Sequence, residues 1–368
     1  MDLCLSCKGC KSECPSNVDV AKLKAEFLQH YYNANGVPLR SRLIANFSTT
    51  AALGSLAPWA YNFFMTAPLI STLVKKISGF APQRSMPTLQ RHTLRSWFNN
   101  RAISKTGDRQ ARKIEGEVNR DMPMHGAVVY LFVDEFTNYN DTHIGIRAIE
   151  LLERLGYRVR LADNLESGRT WLSKGMLKKA KKIADENITR LSPLIDANHP
   201  LLGIEPSAFL TFRDEYPDLC DSSLISQARE LSANSYTIEE FLVMELARGH
   251  ISPGQFTTDT RKVLLHGHCQ QKAVGSMHSS VQALSLPANY YVEVIPSGCC
   301  GMAGSFGYEK EHYDISMKIG ELVLLPAVRQ ADTDTLLAAP GTSCRHQIKD
   351  GAGRKAMHPV EILWEALA

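Results

Sequence analysis

The sequence predicts an α/β chain in which a cysteine-bearing helical N-terminus precedes two repeated α/β halves with parallel sheets. Three observations predict it. From Ala127 onward, short apolar runs alternate with segments of helical period, the pattern that gives a parallel sheet with helices on its faces. The same order recurs from Lys262. Eight of the nine cysteines fall in tight groups, four near the N-terminus and four in the second half.

The bulk numbers are those of an ordinary globular chain. Its 368 residues, 44% hydrophobic and 21% charged, suffice for two or three domains with their own cores. A formal net charge of +3 does not suggest a nucleic-acid binder. The most apolar stretch, Leu43 to Val74, is interrupted by Asn46, Pro58, Asn62 and Pro68, so a spanning helix is not expected. An amphipathic surface that docks on a partner or a membrane face stays open beside plain core packing. Met1 leads straight into a cysteine motif with no signal-peptide pattern. The expectation is a cytoplasmic location, membrane-associated at most, with cysteines that ligate metal rather than pair as disulfides. Cys220 stands apart from the groups and is expected to be structural.

Residues 4–15 read C-x2-C-x2-C-x3-C-P, with Cys4, Cys7, Cys10 and Cys14 before Pro15. Soft thiolates suit iron, and two-residue gaps let successive sulfurs wrap the corners of one cubane, so the run predicts a [4Fe-4S] site. A zinc knuckle would more often separate its C-x2-C pairs. In two-cluster ferredoxins the cysteine before proline serves the other cluster, and this chain has no second run of the kind. Cys14 therefore completes its own cluster or a partner cluster in a separate or upstream segment; the latter is expected.

Asp19 is placed to cap a helix on which Val20, Leu23, Phe27 and Tyr31 share a face, and Gly36 and Pro38 stop it. Residues 1–38 thus form the cluster-bearing segment. Residues 39–118 read as a helical linker or packing region broken by Pro58, Pro68, Pro82 and Pro87. Its positive stretch, Arg84, Arg91, His92, Arg95 and Arg101, reads as a solvated face or as a site for an acidic partner.

The first α/β half spans 126–250. It has strands at 128–133, 157–161 and 201–204, with helices over Ile144–Leu155 and about Lys174–Leu191. The second half, 260–368, has strands at 262–265, 291–295 and 335–339, with a helix near Glu309–Leu325. Its cysteine elements, His266-Gly-His-Cys269, Ser297-Gly-Cys-Cys-Gly301 and Pro340-Gly-Thr-Ser-Cys344, each follow a strand's C-terminal end, where open α/β sheets build their sites. Aligned with them, the first half offers about Phe136, Glu166-Ser167 and Ser207-Ala208, and is expected to be a structural or interface half. Four thiols converging from three loops, Cys269, Cys299, Cys300 and Cys344, suit a second cluster or a catalytic dithiol. The glycines around Cys299-Cys300 let both side chains turn inward. His266, His268 and His346 lie beside these thiols as further ligands or proton carriers.

These motifs resemble a known family. Cys4–Glu26 resembles the second ferredoxin-type motif of bacterial FAD-linked oxidases that carry a C-terminal iron–sulfur region. His-Gly-His-Cys, Ser-Gly-Cys-Cys-Gly-Met-Ala-Gly-Ser-Phe-Gly and Gly-Thr-Ser-Cys-Arg-His-Gln resemble the cysteine-rich CCG domain. The cysteine-rich subunit of heterodisulfide reductase and the small subunit of anaerobic glycerol-3-phosphate dehydrogenase share that domain. The likeness covers nearly the whole chain. It implies an α-helical ferredoxin-type domain followed by two α/β CCG-type halves, the first without its thiolates. It also implies electron relay from a FAD-linked D-2-hydroxyacid dehydrogenase, of D-lactate or D-2-hydroxyglutarate type, to a quinone or soluble carrier. By that resemblance Cys4, Cys7 and Cys10 hold one cubane, Cys14 a corner of it or of a partner cluster, and Cys269, Cys299, Cys300 and Cys344 the CCG site. The full pattern ends in C-x-x-C, whereas this chain has Cys344-Arg345-His346-Gln347. A single [4Fe-4S] cluster, with His346 as a candidate ligand, is expected there instead of a paired cubane.

No G-x-G-x-x-G follows a strand, and Gly301–Gly307 is better explained as a cluster loop than a phosphate loop, so FAD is expected only on a partner or an upstream domain. Two other classes compete: a thiol–disulfide reductase working at Cys299-Cys300, and an assembly module whose thiols bind zinc.

Overall fold

The computed structural model describes residues 1–106 and 126–368; residues 107–118 of the expected linker region lie outside the described residues. The expected α/β class is observed as two parallel sheets. The first comprises β1 (Val128–Leu131), β2 (Arg158–Leu161), β3 (Leu201–Gly203) and β4 (Ser235–Thr237), in the order β2-β1-β3-β4. The second comprises β5 (Arg261–Leu265), β6 (Tyr290–Val294) and β7 (Leu336–Ala338), in the order β6-β5-β7. Each sheet thus sets its first strand between its second and third, so the repeated order in sequence is a repeated order in space. β4, three residues long, has no counterpart in the second sheet and no sequence signal beyond Ser-Tyr-Thr.

One apolar core serves both sheets. Leu131, Val133 and Ile149 of the first half pack in the same cluster as Val263, Leu265 and Val360 of the second. Helix Pro359–Glu365 lies against helix Thr142–Arg154, and Arg147 reaches across to Glu365 at 2.8 Å.

Among the described residues, seven helices precede β1: α1 (Gly9–Glu13), α2 (Val20–Asn35), α3 (Leu39–Ala45), α4 (Phe47–Gly54), α5 (Pro58–Thr66), α6 (Pro68–Ser78) and α7 (Leu94–Thr106). Asp19 caps α2 as expected, accepting from the Ala21 and Lys22 amides at 2.9 and 3.1 Å. Pro58 and Pro68 open α5 and α6 at the first helical turn, where a missing N–H costs nothing. The apolar face expected of α2 is half-exposed instead. Ala21 and Ala25 are its buried residues, because small side chains let the helix approach the body closely.

The basic stretch is not a solvated face throughout. Arg84 is buried, donating to the Gly307 carbonyl at 2.8 Å and to Ser316 at 2.7 Å. Arg95 donates to the carbonyls of Ala162 and Asn164, and Arg101 pairs with Glu153. Only Arg91 and His92 of the five are exposed.

The cysteine run is tied to the first half by a buried ion cluster. Lys8, 1% exposed, pairs with Asp19 at 2.9 Å, with Glu215 at 3.1 Å and with Asp214. Lys11 and Lys22 reach the same Asp214 at 2.5 and 2.9 Å. Burial opposes ionisation of Asp214, but Lys11 and Lys8 outweigh it and hold the carboxyl well below its usual range. Asp214→Ala leaves Lys8 with fewer counter-charges in a dry site, so we expect a loss on the order of 3 kcal/mol by denaturant unfolding. A depressed folded-state pKa means the group's stabilisation is complete above about pH 4, the unfolded carboxyl value, and decays only in stronger acid. The wild-type advantage over the alanine variant should therefore be flat from neutrality to about pH 4 and shrink below it.

Candidate metal centres

Each second-half cysteine element begins where a strand stops. β5 runs into His266–Cys269, β6 into Ser297–Gly301, and β7 into Pro340–Cys344. With β5 central in a parallel sheet, all three loops leave by one edge. Cys269 opens helix Cys269–Val274, which His268 caps by accepting from the Gln270 amide at 3.2 Å. Cys344 sits in the first turn of helix Thr342–Ala352. Cys299 and Cys300 lie in a loop beyond β6, where the Gly301 amide donates to the Cys299 sulfur at 3.4 Å.

The four thiols form one series, Cys269 against Cys299, Cys299 against Cys300, and Cys300 against Cys344. Hydrogen bonds along the series pull the Cys269 and Cys300 thiols below the usual range and push Cys299 and Cys344 above it. The physical cause is mutual repulsion: four adjacent thiolates do not ionise together unless a cation compensates their charge. None of the nine cysteines is in a disulfide.

A ring nitrogen of His266 joins this set. It lies with the Cys300 and Cys344 sulfurs in a buried group whose ligand atoms are all within 4.8 Å of one another. Its Nδ1 is 2.7 Å from the Ser297 hydroxyl, and its buried Nε2 has no nitrogen or oxygen partner among the described residues, leaving the Cys300 thiol as its neighbour. Burial holds the ring neutral, lowering its pKa. A buried imidazole nitrogen that faces only soft sulfurs fits a metal or cluster.

His346 is placed elsewhere. Two positions beyond Cys344 on one helix, it turns about 200° away. Its Nδ1 is 2.7 Å from the Tyr308 hydroxyl, and it lines a cavity of about 570 Å³ with Lys75, Met86, Asn140 and Lys349. Helical phase, readable once the helix is placed, favours His266 over His346.

At the N-terminus, Cys7 feels the charges of Cys10 and Cys4 and, more strongly, that of Cys269; burial is the largest cause of its raised pKa. The two thiol sets therefore adjoin. Helix α1 packs on helix Cys269–Val274, and Gln270 donates to the Ser6 carbonyl at 2.9 Å. Cys14 stands apart, its sulfur accepting from the amides of Val18, Ser16 and Asn17, which lowers its pKa. Cys220 packs beside the aromatic cluster of Phe209, Phe212 and Tyr216, with Asp185 and Lys181 as its charged neighbours.

Backbone strain marks the same loops. Among the described residues, the non-glycine positions with left-handed backbone are Ser6, Lys8, Asn17 and Ala303. Three surround the N-terminal cysteines and one follows Cys300, and such strain persists only where surroundings over-determine it.

The first half carries carboxylates at the matching strand ends. Glu135, after β1, accepts from the Ser167 amide at 2.9 Å and hydroxyl at 2.8 Å. Burial, then repulsion by Glu135, pushes Glu166 up to about 7. Glu205, after β3, accepts from the Thr342 amide at 2.7 Å, and Asp141 accepts from the Thr342 hydroxyl and Arg345, both at 2.6 Å. The N-terminus of the Cys344 helix is thus held by first-half side chains, a role no sequence motif announced.

No family model matches the chain, and no solved structure matches it. Curated relatives do. Over its whole length it is 29% identical to D-2-hydroxyglutarate dehydrogenase of Escherichia coli, covering 34% of that protein. It is 24% identical to one subunit of the anaerobic glycerol-3-phosphate dehydrogenase of Escherichia coli, over 78% of the chain and 66% of the relative. Lactate utilization protein A of Bacillus subtilis matches 64% of the chain at 26% identity over 98% of its own length. The chain spans about a third of the length of the D-2-hydroxyglutarate dehydrogenases that it matches. It is related to oxidoreductases, and the match to the D-2-hydroxyglutarate dehydrogenases takes in its cysteine-rich parts.

Proposed function

We propose that the chain is an iron–sulfur electron-transfer subunit or domain of a flavin-dependent oxidoreductase. It would relay electrons from a FAD-linked D-2-hydroxyacid dehydrogenase, of D-2-hydroxyglutarate or D-lactate type, to a quinone or soluble carrier. The observation that carries this reading is the adjacency of the two thiol sets, with Cys7 beside Cys269. Cys4, Cys7 and Cys10 would hold one [4Fe-4S] cluster, with Cys14 free to complete a cluster of a partner segment. Cys269, Cys299, Cys300 and Cys344 would hold a second, with His266 a better-placed fifth donor than His346. Clusters so bound would supply one-electron transfer, while FAD would reside on the partner or an upstream domain. Residues 126–250 would act as the thiolate-free half and 260–368 as the cluster half of a CCG-type pair.

What the chain's own residues contribute is desolvation, orientation and fixed dipoles. Cys300 and Cys344 are buried, and the Gly301 amide donates to Cys299. Lys272, at a carbonyl of the Ser297–Gly298 turn, places a cation beside the thiols, where it favours their ionised form.

A second reading, thiol–disulfide reduction at Cys299-Cys300, draws on the direct contact of the two sulfurs and the lowered Cys269 pKa. Iron and acid-labile sulfide per chain, measured on anaerobically purified protein, separate the two. In a C299S/C300S variant the relay reading expects iron to fall by roughly half, because one of two cubanes is lost. Unchanged iron moves the disulfide reading to the front.

Loop geometry gives a second test that leaves all nine thiols in place. Gly301 has φ +92°, and a Cβ there would collide with the Ser316 carbonyl. Gly301→Ala should displace the vicinal cysteines, costing more than about 1 kcal/mol of stability and lowering iron nearly as far as the double serine variant. Full iron retention in this variant would show that the loop conformation is not needed for ligation.

A further inference from the structure

Helix α6 is built inside out. It buries Ser71 and Lys75, while Leu69, Leu73 and Ile77, at successive four-residue steps, are 88%, 59% and 79% exposed. Lys75 spends its charge on the carbonyls of Pro82 at 3.1 Å and Arg84 at 2.6 Å. The neighbouring helices repeat the pattern: Leu39 and Leu43 on α3, and Trp59 and Phe63 on α5, are exposed pairs at a four-residue step. Leu53 and Leu56 add to them, Leu56 at 84%. Each of these helices packs on the next, so the apolar side chains belong to one helical layer. Soluble surfaces scatter such residues singly; a layer of them marks a surface with a partner.

Charge says which partner. From Phe27 to Gly107 the sequence contains no aspartate or glutamate but nine lysines and arginines. Of these, Arg42 on α3 and Lys76 on α6 are exposed and make no ion pair among the described residues. Helices that carry no carboxylate, expose tryptophan, phenylalanine and leucine, and bear unpaired cations on α3 and α6 fit the interface of a negatively charged bilayer. No helix of the described residues is long and apolar enough to cross one.

We propose that the outward face of α3–α6 docks on a bilayer of anionic phospholipid, lying in the headgroup region without spanning it. The inference stands apart from the cluster assignment, since lipid binding needs no bound iron, and failure of either leaves the other intact.

The test is cosedimentation of the full chain with vesicles of phosphatidylcholine, with and without phosphatidylglycerol, read together with tryptophan fluorescence. Trp59 is 79% exposed, whereas Trp97, Trp171 and Trp364 are buried or partly buried, so a blue shift on vesicle addition reports this face. We expect binding to the anionic vesicles, a blue shift that Trp59→Tyr abolishes, and weakening by salt. Leu69→Gln/Leu73→Gln/Ile77→Gln should lower partitioning at least about ten-fold with an unchanged melting curve. Arg42→Glu and Lys76→Glu should each lower it by about five-fold or more. No binding to either vesicle overturns the proposal. So does equal binding to both with no salt dependence, or concentration-dependent self-association that shields Trp59 without lipid. Shielding of Trp59 by a copurifying flavoprotein, with no vesicle binding by the free chain, would give the face to a protein instead.

Discussion

A lysine buried within a cysteine motif constrains everything around it. Lys8 sits between Cys7 and Cys10 and is almost wholly removed from solvent, which no ammonium tolerates without partners. Asp19, Asp214 and Glu215 supply them. Because Asp214 and Glu215 belong to the first half, the cysteine run cannot leave it without stranding a charge. The same run touches the second half through Ser6 and Gln270. The N-terminal thiols are thus wedged between the two halves, and Cys7 comes to lie beside Cys269.

The two sheets share a topology but divide the labour at their strand ends. Beyond β5, β6 and β7 stand soft donors; beyond β1, β2 and β3 stand Glu135, Glu166 and Glu205. Those carboxylates are not idle remnants. Glu205 and Asp141 reach across to the first turn of the Cys344 helix, and a carboxylate there is favoured by the unpaired amides of a helix start. The half that lacks thiols braces one that has them, through a shared core and these few polar contacts.

Much of this was legible in the sequence because the signals were local. Strand runs bounded by glycine, the Asp19 cap and the three cysteine loops depend on neighbours a few residues away, and they appear within two residues of their expected places. The long-range terms were not legible. Nothing in the sequence said that Arg84 would be buried against Ser316, or that α2 would turn its alanines inward and leave Phe27 and Tyr31 half-exposed. The place of His346 turns on a nearer term. The residue two positions after Cys344 is adjacent in sequence, but a helix carries it to the opposite side, and His266 takes the place beside the sulfurs.

Strain and thiolate repulsion point the same way. Ser6, Lys8, Asn17 and Ala303 hold left-handed backbone at a cost of order 1–3 kcal/mol each. Four thiols brought together repel one another once they ionise. Neither arrangement is what a chain adopts for packing alone, since buried cysteine as a small hydrophobe needs no left-handed turns and no thiol neighbours. A soft cation that displaces the thiol protons would turn repulsion into ligation, and its binding free energy would offset the backbone strain around it. The donors those loops offer, sulfur with one imidazole, are the ones that suit such a cation.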